Sequence, residues 1–129
     1  MIDQMPAMEL SIILWSMAHV RMQVDERFNS AASSALISRV DHLTPHGITN
    51  VLWAYYRLKM SIPDQLAQAL VQRSIDSVEE FIPQGVAQSL WSLFKLRYSP
   101  RPEDLHTLAG RILDFLPNFE LEVALLTVR

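Results

Sequence analysis

The chain has 129 residues, 50% of them apolar, with 11 Lys and Arg against 14 Asp and Glu and a formal charge of −3. The absence of cysteine excludes disulfides, thiolate catalysis and Cys-based zinc or iron–sulfur sites. Its three glycines, where average usage of roughly 7% would give about nine, are too few for a turn-rich sandwich or barrel, and the mild negative charge argues against a nonspecific basic coat for nucleic acid.

From the N-terminus, Met1 to Pro6 carry an early acid and no basic region before an apolar stretch, so they read as neither a secretory signal nor an Arg-rich transit peptide. Ser11, Ser16 and His19 interrupt the longest apolar run, and no segment approaches the roughly 20 apolar residues of a membrane span. Helices are predicted at 7–20, 25–40, 46–59, 63–80, 84–97 and 102–116, with another beginning near 119. Proline is the punctuation between them. All seven prolines (6, 45, 63, 83, 100, 102 and 117) fall at or just before a predicted helix start, where a missing N–H costs nothing and φ is preset. Thr44 and Pro45 read as an N-cap and first helical residue, and Ser61-Ile62-Pro63-Asp64 resembles a capping-box start.

The tryptophans set the period. The intervals from Trp15 to Trp53 and from Trp53 to Trp91 are both 38 residues, and the neighbours recur in character from Leu14 to Met22, Leu52 to Met60 and Leu90 to Tyr98. Each period holds two predicted helices, an A helix carrying the Trp and a B helix after it. The fold class that follows is all-α: an α-solenoid of about three 38-residue helix-turn-helix repeats plus a partial fourth. We read one helical-repeat domain over 1–129, with repeats at about 6–43, 44–81, 82–116 and a partial copy at 117–129.

In the middle A helix Ile48, Val51, Leu52, Tyr55 and Leu58 form an i, i+3, i+4, i+7 stripe, with Trp53, Tyr56 and Met60 in a second apolar stripe beside it. Two apolar faces call for two partners, the B helix of the same repeat and the next repeat. The Trp column is therefore expected in the core, where Trp53→Ala would cost about 3–5 kcal/mol.

The polar residues left over form a stripe at i, i+4, i+8 and i+11: His46, Asn50, Ala54 and Arg57 in the second repeat, Gln84, Gln88, Ser92 and Lys95 in the third. Amides can read base edges or peptide groups, a small residue admits a ligand, and the cation suits a phosphate. The first repeat offers Met8, Ile12, Ser16 and His19, a less polar version. Two positions beyond each cation comes another, Arg21, Lys59 and Arg97, so that His19, Arg21, Arg57, Lys59, Lys95 and Arg97 would stack into a basic edge. Helix dipoles alone also favour cations in a last turn. The segment 61–82, by contrast, sets Asp64, Asp76, Glu79 and Glu80 against Arg73.

No catalytic constellation emerges. The four histidines fall in different elements, with Pro45 between His42 and His46, and no metal or other cofactor is expected. Glu79-Glu80 and Glu103-Asp104 are adjacent pairs that do not face each other on a helix.

The pattern Pro-x-Gly-[Ile/Val]-x-[Asn/Gln]-x-Leu-Trp-[Ala/Ser]-x-x-[Arg/Lys]-Leu, present from Pro45 to Leu58 and from Pro83 to Leu96, resembles the octotricopeptide repeat and the similar heptatricopeptide repeats of RAP-domain proteins. The first copy departs from it, with Pro6 one position early and Glu9 in place of Gly. The resemblance implies a non-catalytic α-solenoid acting on organellar rRNA or mRNA, in a mitochondrion or alternatively a plastid, or as a subunit of an organellar ribosome. It implies RNA contact through His46, Asn50, Arg57, Gln84, Gln88 and Lys95. Three repeats would specify only a very short sequence, so the expected setting is a longer array or a ribonucleoprotein with protein neighbours at the uncapped C-terminal repeat. The alternative is a protein–protein scaffold that uses the same groove without touching RNA.

Overall fold

The computed structural model describes residues 2–115, the side chain of Asp3 excepted. Six α-helices follow one another: α1 (Ala7–His19), α2 (Glu26–Ser38), α3 (Pro45–Arg57), α4 (Asp64–Asp76), α5 (Pro83–Lys95) and α6 (Pro102–Leu113). No strand occurs among the described residues. The starts of α1, α3 and α5 repeat the 38-residue period, as do those of α2, α4 and α6. The A helices stack as one layer, α1 on α3 on α5, and the B helices as a second, α2 on α4 on α6. This is the expected solenoid. The partial fourth repeat, with Pro117 and the helix near 119, lies outside the described residues.

The helix starts follow local chemistry. Thr44 caps α3 by accepting the Gly47 N–H at 3.1 Å, with Pro45 in the first turn, and Asp25 caps α2 by accepting the Phe28 N–H at 2.9 Å. The capping box expected at Ser61 does not form: α4 begins at Asp64 with Pro63 as its N-cap and no side-chain cap, and the Ser61 carbonyl instead accepts from Asn29 Nδ2 at 2.9 Å. The first two B helices are also shorter than predicted. Each ends at the position of Ser38 or Asp76, and a 3₁₀ turn follows at Val40–His42 and Val78–Glu80. These turns deliver Leu43 and Phe81, both buried, against the start of the next A helix. A Cβ on Gly47 would stand 3.3 Å from Leu43 Cδ2, and one on Gly85 3.3 Å from Phe81 Cδ1. The Pro-x-Gly element thus meets a packing need of any helix entered this way.

The core lies between the layers. Leu10, Leu14, Ile48, Val51, Leu52, Tyr55, Val86 and Leu93 from the A helices meet Leu36, Leu66, Leu70 and Leu108 from the B helices, all buried. Inside it, Tyr55 Oη and Ser33 Oγ share a hydrogen bond at 2.6 Å, and Ser33 Oγ donates to Asn29 Oδ1 at 3.0 Å. Repeats are also stapled by polar contacts. Thr49 and Ser89 hydroxyls meet at 3.0 Å across α3 and α5. Arg73 Nε donates to the Leu43 carbonyl at 3.1 Å, and one period later Arg111 Nε donates to the Phe81 carbonyl at 2.9 Å. Each arginine satisfies a carbonyl of the preceding repeat's turn, which ties B helix to loop.

Candidate nucleic-acid interface

The outward face of the A layer carries the residues singled out above. His46, Asn50, Gln84 and Gln88 share one groove of about 320 Å³ between the N-terminal halves of α3 and α5. His46, Gln84 and Gln88 are exposed and Asn50 is half-buried. At the other end of the same helices, Arg21, Arg57 and Lys59 line a cleft of about 450 Å³, and Lys95 and Arg97 a neighbouring one of about 490 Å³ with Phe94 and Tyr98. His19 is exposed at the end of α1. The structure therefore brings the predicted residues together in two groups, amides at one end of the helices and cations at the other.

The stripe itself needs correction at its third position. Ala54 and Ser92 are fully buried, and the Ser92 hydroxyl has no hydrogen-bond partner, so Ser92 is not part of any surface a ligand could reach. The position that is exposed is the one before it. Trp15 is 39% and Trp91 45% exposed, and Trp53 is half-buried at the edge of the core, which overturns the expectation of a core Trp column. At 100° per residue, i, i+4, i+7 and i+11 lie within about 60° of one another, whereas i+8 turns away, into the core at Ala54 and Ser92, while Ser16 of the first repeat stays exposed. The outward stripe is His46-Asn50-Trp53-Arg57, Gln84-Gln88-Trp91-Lys95 and Met8-Ile12-Trp15-His19. Its rings touch along the stack. Trp15 and His19 stack at 4.8 Å, Trp15 and Trp53 approach to 6.4 Å, and Tyr56 meets Trp91 edge-on at 5.1 Å. The Lys95 ammonium sits 5.6 Å from the Trp91 ring centre.

Sequence reasoning also missed how the second set of cations is held. Arg21, Lys59 and Arg97 all adopt the left-handed conformation, with φ of 56°, 59° and 64°. Each follows the C-cap of an A helix in a Schellman closure. The Met22 N–H donates to the Met17 carbonyl at 3.1 Å, and Met60 to Tyr55 and Tyr98 to Leu93 repeat the bond at 3.0 Å. Glycine normally takes this position, and here a cation takes it three times out of three. Its absence hid the motif from the sequence.

The electrostatics are one-sided. Among the described residues, α1, α3 and α5 contain one carboxylate, Glu9, in the first turn of α1. Among the described residues, Arg21, Arg57, Lys59, Lys95 and Arg97 make no ion pair with a carboxylate, and Arg57 Nε is buried without a partner. In the B layer, by contrast, Arg101 pairs with Asp104 at 3.1 Å and Arg111 with Glu79 at 3.8 Å. A larger cleft of about 580 Å³ between α4 and α6 is lined by Gln65, Gln68, Gln72 and Tyr98, but its Arg101 and Asp104 neutralise each other. No group of three or more His, Asp or Glu side chains able to hold a metal occurs among the described residues, nor does a helix long and apolar enough to cross a membrane.

Comparison with known proteins gives one family. Residues 2–114 match the family described as the Tbc2 translation factor, N-terminal domain, while no curated protein and no solved structure matches. The match overturns the resemblance to octotricopeptide and heptatricopeptide repeats, for which there is no family match. The physical reason is visible in the fold: Pro-x-Gly and Leu-Trp-[Ala/Ser] record helix entry and close helix stacking, requirements that do not single out one repeat family. The chain belongs to the Tbc2 translation factor N-terminal domain family, and its role is related to translation.

Proposed function

We propose that this domain serves translation by binding RNA, without catalysis, across the outward face of its A helices. The observation that carries the reading is the run of cations without carboxylate partners, Arg21, Arg57, Lys59, Lys95 and Arg97, along one edge of an A layer whose described helices α1, α3 and α5 hold a single carboxylate. A polyanion is the ligand that such an edge complements. The groove of His46, Asn50, Gln84 and Gln88 supplies donors and acceptors beside it. A ribosomal or messenger RNA fits the translation role of the family.

If His19 and these five cations each met a phosphate, log K would fall with log salt at a slope of about −4, from about 0.7 per contact with a single strand. A second reading, a protein scaffold, is favoured by Met8 and Ile12, 40% and 53% exposed at the apolar end of the first repeat's stripe. Reversal of the exposed Arg21, Lys59, Lys95 and Arg97 to Glu separates the two. Loss of RNA with protein partners retained supports the first reading, whereas retained RNA binding with lost partners supports the scaffold and refutes RNA contact here.

A further inference from the structure

The Trp column is too exposed for a core and too regular for chance. The packing role belongs to Leu14 and Leu52, one position earlier and fully buried, while Trp15 and Trp91 keep 39% and 45% of their surface in water. Trp53 between them is half-buried, and apolar area left exposed at one column in the first and third repeats marks a contact surface. What surrounds it defines the occupant. Four residues after each Trp, on the same face, stands His19, Arg57 or Lys95, with the Lys95 ammonium 5.6 Å from the Trp91 ring and Arg57 Nε unpartnered. A ligand that meets both columns must present flat π faces and negative charge at regular intervals. Single-stranded nucleic acid does this, since a duplex hides the faces of its bases.

We propose that the Trp column is a stacking platform for the unpaired bases of single-stranded RNA, with the phosphates carried by the cations beside it. The proposal rests on the RNA-binding reading and adds its mode: affinity comes from stacking, which every base can make, so binding tolerates changes of sequence. The amide groove lies at the far end of the same helices and is not needed for this contact.

The chain's three tryptophans are all in the column, so fluorescence excited at the red edge, where tyrosine does not absorb, reports on nothing else. The full chain is titrated at low salt with a single-stranded oligouridylate and, separately, with an abasic ribose-phosphate oligomer of equal length. The expected result is quenching and tighter binding by the oligouridylate alone, with Trp91→Leu weakening it about 5- to 150-fold, Trp91→Phe restoring most of the loss, and abasic binding unchanged by either. Circular dichroism melts of both variants confirm that the fold is kept. Equal affinity for the two oligomers, or an oligouridylate affinity indifferent to Trp91→Leu, overturns stacking while leaving RNA binding in place. No affinity for either oligomer overturns the RNA reading and the stacking mode together, and quenching by an acidic peptide alone would assign the face to a protein.

Discussion

Three cations held at positive φ invite a perturbation that separates backbone strain from charge. At φ of 56°, 59° and 64°, Arg21, Lys59 and Arg97 bear the Cβ penalty of the left-handed region, about 1–2 kcal/mol each. Replacing all three with Gly removes that penalty, and replacing all three with Ala keeps it. Both triple variants lose the same charges and the same interaction with the helix C-terminus, so the difference between them isolates the backbone. Gly gives back about 0.5–1 kcal/mol per site through its freer unfolded chain. The Gly variant should then exceed the Ala variant by about 1.5–3 kcal/mol in all, which for a domain of this size is roughly 6–12 °C in Tm. Thermal melts followed by circular dichroism measure this, and equal melting temperatures would show that the helix ends do not close in the left-handed form. RNA titration completes the argument. Both variants should lose three phosphate contacts and flatten the log–log salt slope by about 2. A Gly variant that is as stable as the native chain but binds RNA poorly would show that these cations are kept for the ligand. An unchanged slope would assign them to the helix dipole instead.

Other consequences follow from burial. Trp53→Ala should cost about 2–3 kcal/mol, below the 3–5 expected of a fully buried ring, and Trp91→Ala less than that; urea unfolding that gives the two equal cost would contradict the graded exposure. Ser92→Ala should leave RNA binding unchanged and stabilise the fold by about 1 kcal/mol, because it deletes a buried hydroxyl without a partner and reproduces Ala54 of the preceding repeat; a loss of RNA affinity would return Ser92 to the interface. Burial pushes the Tyr55 phenol up to about 12, opposed by the hydrogen bond it shares with Ser33. Because its folded value lies above its unfolded one, the stabilisation it contributes is present below pH 10 and is lost as pH rises toward 12, an effect of about 2–3 kcal/mol. Tyr55→Phe should flatten the fall of stability over that window, and an alkaline profile identical to that of the native chain would refute the assignment.

The repeat was legible because its signals are local. Proline marks helix starts through its fixed φ, and the 38-residue recurrence of Leu-Trp survives any uncertainty in helix ends. The ends of the B helices were less legible: nothing in Arg39-Val40 or Ser77-Val78 distinguishes a continuing α-helix from a 3₁₀ turn that aims Leu43 or Phe81 into the next helix. The Schellman closures were illegible because their usual marker, glycine, is replaced by Arg or Lys. The staples from Arg73 and Arg111 to loop carbonyls also depend on the stacking of repeats, which periodicity within one helix does not encode.

The most instructive difference is a shift of one residue. A polar stripe read at i, i+4, i+8 and i+11 and one read at i, i+4, i+7 and i+11 are both compatible with 3.6 residues per turn, and the sequence alone favoured the first because Ala54 and Ser92 are small and Trp is apolar. Packing decides otherwise. A column of small residues is what lets α1, α3 and α5 approach closely, so Ala54 and Ser92 go into the helix–helix contact and the ring before them is turned outward. The small residue does not make room for a ligand; it makes room for the next helix. The same approach of the helices brings Trp15 to Trp53 and Tyr56 to Trp91, so that stacking of the repeats creates the aromatic face that a nucleic acid could use.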